Sequence, residues 1–196
     1  MYQSLPLPYN ELNGISQNTL TIHHDKLYVG YVNKLNEIEE KLKTVDRAAA
    51  NGTYSEFGEL KRQESFARDA KILHEAYFAI LGGDGQQSGA VVQQIEKDFG
   101  SFDLWLADFK ACGLVARGWV ILAWDMNDGR LHNYICDAHN QGGIWSSIPV
   151  IVLDTYEHAY MIDYGSDRKA YIETFMKQLN WSEANRVWEK VKGFSL

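Results

Sequence analysis

Two stretches of the chain repeat apolar side chains every three or four residues, with a polar break between them. The first stripe is Tyr28, Val32, Leu35, Ile38 and Leu42, which predicts a long helix from near Ser16 to about Lys43. The polar stretch TVDRAAANGTYSE then interrupts the pattern, and Asn51-Gly52 is its strongest turn signal. A second helix fits Glu56 to Leu81, with Phe66, Ala70, Leu73, Tyr77 and Leu81 on one side, and Gly82-Gly83 ends it. Two such helices joined by a short polar link must fold back on each other to bury their stripes, so an N-terminal helical hairpin is expected.

Beyond residue 84 the texture changes. Shorter helices are expected near Gly89–Phe99 and Ser101–Leu114, the latter with Ser101 as its cap. Aromatic and β-branched residues crowd Gly118–Trp124 and Leu131–Cys136, and the intervening MNDG reads as a hairpin turn. Pro149–Leu153 is a third strand, and two helices follow at roughly Asp167–Leu179 and Ser182–Val191. The order implies an α+β protein: a helical-hairpin domain over 1–84 and a C-terminal α/β domain over 85–196, whose small three-stranded antiparallel sheet is flanked by helices.

Composition excludes some functions. A net charge of −7 argues against a general nucleic-acid binder. No apolar run reaches the length of a membrane span, and the opening MYQSLPLPYNELNG lacks the basic-then-apolar order of an export signal. Two cysteines, Cys112 and Cys136, make no disulfide framework, so a reducing cytoplasmic setting is expected.

The chemistry concentrates in "LDTYEHAYMIDY", residues 153–164, where Asp154, Glu157 and His158 follow the uncharged run Ile148–Leu153. Charges beside a buried strand need partners, and a bound cation is one. Of the six histidines, His23 lies on the first long helix and His74 on the second, where antiparallel helices could face each other. His158 sits one helical turn past Asp154. Three imidazoles and one carboxylate suit a first-row transition metal.

Four segments, in order, resemble the motifs of the iron/manganese superoxide dismutase family, across essentially the whole chain. "LDTYEHAYMIDY" is similar to the family's D-x-W-E-H-A-Y-Y, with Tyr156 in the Trp position. "ISQNTLTIHHDKLYVGYVNKLN" resembles its first-helix motif, "LHEAYFAILGG" its second, and "ARGWVILAW" the strand before its hairpin. The resemblance implies one iron or manganese ion per subunit, held by His23, His74, Asp154 and His158. It also implies superoxide as the substrate, dismuted to dioxygen and hydrogen peroxide, with solvent on the ion as the proton store. Two alternatives stay open: a mononuclear non-haem iron protein of another oxygen chemistry, and a scaffold that keeps the fold with little activity.

By the same resemblance Tyr31, eight residues past His23, is the active-site tyrosine. The family's glutamine position on the second helix holds Ala70, which moves the second hydrogen-bonding group to the hairpin, at His139, with nearby Gln141 as the alternative. Glu157 is expected to contact His158 of the partner subunit in a homodimer, or in a homotetramer built from two. Arg168 corresponds to an arginine near the entrance, with Lys26 a weaker candidate for guiding an anion. His24 and His132 are read as structural or surface residues. The chain departs from the pattern at Leu27 and Met161, where the family commonly carries a histidine and a tyrosine hydrogen-bonded between subunits. Both positions being apolar predicts a drier mouth, an altered proton route and a changed turnover.

Overall fold

The computed structural model describes residues 1–196. The first long helix runs as one rod in three parts: α1 (Gln17–Leu20), a π-helical stretch (Thr21–Tyr28) and α2 (Val29–Thr44). Ser16 is the cap, its hydroxyl accepting from the Thr19 N–H. The π-helical stretch was not expected from periodicity. It keeps His23, His24 and Tyr28 all buried, and Val29 N–H closes back on the His24 carbonyl, five residues away. The second helix is α3 (Glu56–Ile80), capped by Ser55. It stops at Gly82, whose φ of +82° suits glycine, and Gly83 packs so tightly that a Cβ there would lie 2.5 Å from the Leu179 carbonyl.

The C-terminal half supplies α4 (Ala90–Phe99), α5 (Phe102–Val115), β1 (Trp119–Asp125), β2 (Arg130–Cys136) and β3 (Ser147–Asp154). The sheet is antiparallel in the order β2-β1-β3, and every residue of the central β1 is buried. Pro149 sits on outer strand β3, where the register slips between Leu122 and Ala123, a place a residue without an N–H can occupy. A 3₁₀ turn (Glu157–Ala159) and the short α6 (Met161–Tyr164) follow β3, then α7 (Arg168–Lys177) and α8 (Trp181–Val191).

One core of 38 buried residues runs from Leu20, Tyr28 and Tyr77 on the hairpin through Trp119 and Leu153 on the sheet to Trp188 on α8. A smaller cluster, Leu35, Ile38 and Ala67, closes the far end of the hairpin. The large core straddles both halves, so the hairpin and the sheet hold each other's inner faces in place. The irregular arm before α1 lies along the hairpin. Tyr2 exchanges two hydrogen bonds with the Asn36 amide, and the Leu5 N–H donates to the Tyr28 hydroxyl.

Candidate metal centre

Where the hairpin meets the sheet, four side chains converge. His23 comes from the π-helical stretch, His74 from α3, Asp154 from the last residue of β3, and His158 from the 3₁₀ turn. One ligand atom from each lies within 4.8 Å of all the others. Asp154 Oδ2 is 3.1 Å from His23 Nε2, 3.1 Å from His158 Nε2 and 3.8 Å from His74 Nε2. The other oxygen, Oδ1, accepts the Tyr156 N–H at 2.8 Å, so the carboxylate cannot swing away. Tyr171 and Tyr77 fix the Asp154 backbone from behind: the Tyr171 hydroxyl donates to the Asp154 main-chain carbonyl at 2.8 Å and meets the Tyr77 hydroxyl at 3.0 Å.

His74 tests whether a cation belongs here. Its Nδ1 donates to the Ala70 carbonyl at 2.7 Å, which leaves the lone pair on Nε2. That nitrogen is buried and has no hydrogen-bond partner. An orphaned buried acceptor costs about 1–3 kcal/mol, and a metal ion would remove the cost. Electrostatics agree. Burial pushes the pKa of His74 down to about 3 and lowers that of His23, so both rings are neutral donors at pH 7. Burial alone would raise the Asp154 carboxyl, but the facing His158 and His23 outweigh it and hold it well below the usual carboxylate range. An ionised carboxylate beside neutral rings in a closed site calls for a positive charge.

Around this set the structure brings together the other expected residues. The Tyr31 hydroxyl lies 3.1 Å from His139 Nε2, and His139 Nδ1 accepts from the Trp119 indole at 3.0 Å. An indole N–H only donates, so the Nδ1 of His139 must be bare and its proton must sit on Nε2. Burial lowers the His139 pKa to about 4, which keeps the ring neutral. His139 therefore donates to the Tyr31 oxygen, and the phenol's own hydrogen is left for the ligand side. The alternative, Gln141, is exposed. Ala70 contributes its carbonyl rather than its side chain.

Glu157 is exposed and His158 is 22% exposed, on the open side of the cluster. They line a pocket of about 480 Å³ with Ala116, Arg117, Thr155 and Arg168. The Arg168 guanidinium donates to the Ala116 carbonyl at 2.8 Å and to the Tyr160 hydroxyl at 3.2 Å. Leu27 is half-buried, Met161 is 42% exposed, and Lys26 is exposed. His24 is engaged with the arm, its ring nitrogens 2.9 Å from the Leu5 carbonyl and 2.7 Å from Asp25 Oδ1. His132 faces Asp128 on the hairpin. The neighbouring Asp125 already accepts from Tyr134, Ser146 and the Asn127 N–H, so it clamps the turn. Trp119 and Tyr77 lie in segments that matched family motifs but were given no role there, and Tyr171 carries no signal of its own; aromatic residues in core-type stretches read as packing.

Two family models cover the chain: the alpha-hairpin domain of iron/manganese superoxide dismutases over residues 1–82, and their C-terminal domain over residues 87–187. The chain belongs to the iron/manganese superoxide dismutase family. It is 45% identical over 184 residues to the iron superoxide dismutase of Aquifex aeolicus, covering 91% of this chain and 86% of that protein. It is 38% identical to the iron enzyme of Cupriavidus metallidurans, covering 94% of each chain. It is 36% identical to manganese superoxide dismutase 1 of Halobacterium salinarum, covering 96% of each. Relatives named for either metal match along nearly their whole length, and no helix of this chain is long and apolar enough to cross a membrane.

Proposed function

We propose that this member of the family dismutes superoxide to dioxygen and hydrogen peroxide at one iron or manganese ion per subunit, with His23, His74, Asp154 and His158 as the ligands. The observation that carries the reading is the His74 Nε2 lone pair, sealed in and aimed at the Asp154 carboxylate with no partner of its own. When bound, the ion supplies a one-electron couple that takes an electron from one superoxide and returns it to another. The residues of the chain set the conditions. The Asp154 charge would partly neutralise the cation, and three imidazole nitrogens would complete the donor set. Tyr31 holds a proton at its hydroxyl oxygen, oriented toward the ligand side because His139 occupies its other lone pair. Trp119 fixes His139. Since the chain carries a net charge of −7, an anion needs local guidance, and Arg168 stands at the open pocket to provide it.

The exposed Glu157 beside the half-open His158 supports a homodimer in which Glu157 hydrogen-bonds His158 of the partner subunit, and the free Cys112 and Cys136 support a reducing, cytoplasmic setting. We read residues 1–84 and 85–196 as two domains, supported by the break between the two family models after residue 82. The apolar pair Leu27 and Met161 supports a second reading, a metal-holding protein of low turnover. Metal analysis of the purified protein with a superoxide-consumption assay separates the two. Consumption that falls at least about 100-fold in Asp154→Ala, together with metal loss, supports the dismutase; full metal without consumption sinks it.

A further inference from the structure

Asn51-Gly52, the turn signal of the hairpin link, is one of two asparagine–glycine pairs in the chain; the other is Asn13-Gly14. Such a pair is chemically labile because glycine has no Cβ to keep its amide nitrogen away from the preceding asparagine side chain. The two pairs are identical in sequence and differ in what the fold adds.

Asn51-Gly52 sits between α2 and α3, where residues 46–54 are all exposed. A Cβ built on Gly52 meets nothing within 4 Å, and its φ lies outside the left-handed region, so no packing resists a turn of its backbone. Asn51 Oδ1 accepts the Thr53 N–H at 2.8 Å, with the Tyr54 N–H at 3.4 Å. These donors draw electrons from Cγ and already face the oxygen on which negative charge develops when a nucleophile adds there. Asn13-Gly14 is held instead. Gly14 has a φ of +88°, and a Cβ on it would lie 2.8 Å from Thr174 Cγ2 and 2.9 Å from the Tyr164 hydroxyl. That hydroxyl donates to the Gly14 carbonyl at 2.6 Å, and the flanking Leu12 and Ile15 are buried and bridged to each other. Ring closure between the two residues needs the backbone to rotate, which at Asn13 breaks these contacts.

We propose that Asn51 is a site of spontaneous deamidation and isoaspartate formation, and that the fold protects Asn13. The Gly52 nitrogen, having lost its proton to solvent, attacks Asn51 Cγ. The new C–N bond closes a cyclic imide, the Cγ–Nδ2 bond breaks, and the side-chain nitrogen leaves as ammonia. Water then opens either imide carbonyl, giving aspartate or isoaspartate, in which the main chain runs through the former side chain. Either product adds a negative charge to the −7 of the chain. Aspartate keeps an acceptor for the Thr53 N–H. Isoaspartate lengthens the link by a methylene and turns the Asn51 carbonyl, which accepts the Ser55 hydroxyl at 3.3 Å, into a free carboxylate, disturbing the cap of α3. That carboxylate is the chemistry a methyl-transferring repair enzyme esterifies, which is the class of partner the aged site fits.

The test ages the metal-loaded full-length protein, and the same chain unfolded in urea, beside Gly52→Ala. Peptide mass spectrometry maps the conversion, and an isoaspartyl carboxyl methyltransferase with a labelled methyl donor counts the isoaspartate. In the folded protein, conversion at Asn51 is expected to be at least about 10-fold faster than at Asn13, and to quicken as pH rises because the attacking nitrogen must lose its proton. In urea the two rates should converge. Gly52→Ala, which the open space at that position accommodates, should slow Asn51 at least about 10-fold. Equal rates in the folded chain, a preference that persists unchanged in urea, or a Gly52→Ala variant that converts as fast as the wild type overturns the proposal.

Discussion

His74 and His158 present the same ring to the same carboxylate oxygen, yet they belong to opposite kinds of structure. His74 is fully buried on a 25-residue helix, with its far nitrogen fixed by the Ala70 carbonyl and its ring against those of His23, Tyr31 and Trp119. His158 sits in a three-residue 3₁₀ turn with the exposed Glu157 and Met161 beside it, stacked on Tyr156. The inner wall is finished within one chain. The outer segment is held by few bonds of its own and borders an open pocket. A site assembled from one rigid wall and one looser segment is pre-organised on the side that sets ligand geometry, and open on the side where substrate must meet it.

The contrast breaks most sharply at Trp119. Trp119→Phe removes the only donor to His139 Nδ1 and leaves that nitrogen buried without a partner, which costs about 1–3 kcal/mol. A lower melting temperature is expected, with superoxide consumption reduced about 10-fold or more. Nitrogen NMR should show the imidazole of His139 no longer confined to one tautomer. A variant with wild-type stability and a single tautomer would remove Trp119 from the inner wall.

Asp163 tests how the outer segment is tied down. Its Oδ2 accepts from the Ser16 N–H at 2.9 Å and the Thr19 hydroxyl at 2.8 Å, binding α6 to the start of the first helix. Burial alone would raise this carboxyl, but those hydrogen bonds hold it below the usual range. A depressed native pKa contributes stability that is present above the unfolded value, about 3.9, and is lost as pH falls through the folded value. Asp163→Asn should cost at most about 1 kcal/mol at pH 7, because the group is partly exposed. Thermal melts followed below pH 4 should then show a shallower acid dependence than the wild type, and an identical slope would mean that the tie contributes nothing.

The smallest effect on folding is expected at Glu157. Glu157→Ala should leave the stability of a single chain within about 0.5 kcal/mol, since the side chain has no partner within it. Its effect should appear in assembly, as a fall in mass on dilution at concentrations where the wild type stays associated. A large loss of stability in the isolated chain would make Glu157 part of the inner wall after all.

Much of this architecture was legible because the signals were periodic. The hairpin stripe from Tyr28 to Ile38, the Ser101 cap, the MNDG turn and the Gly82 stop each arise from local physics, and the elements form within a few residues of their expected ends. The π-helical stretch at Thr21–Tyr28 was not legible, because a widened turn depends on what the helix packs against. The 3₁₀ turn and α6 were too short to leave a period. Among site residues, Tyr31, Trp119 and the four candidate ligand side chains stood in motifs, though nothing there marked Trp119 as a hydrogen-bond donor, whereas Tyr171 read as ordinary aromatic core. The motif alignment favoured His139 over Gln141, and the hairpin's path places that ring against Tyr31 and leaves the Gln141 side chain in solvent.

The residues alone determined which groups could bind a cation and in what order they occur, because residue type fixes donor chemistry and periodicity fixes local shape. Only the tertiary structure decided that four ligand atoms up to 135 positions apart lie within 4.8 Å, that one His74 nitrogen is left without a partner, and that Trp145 stays outside the core. Those outcomes depend on how the hairpin and the sheet bury each other's faces, a long-range balance that no single stretch of sequence contains.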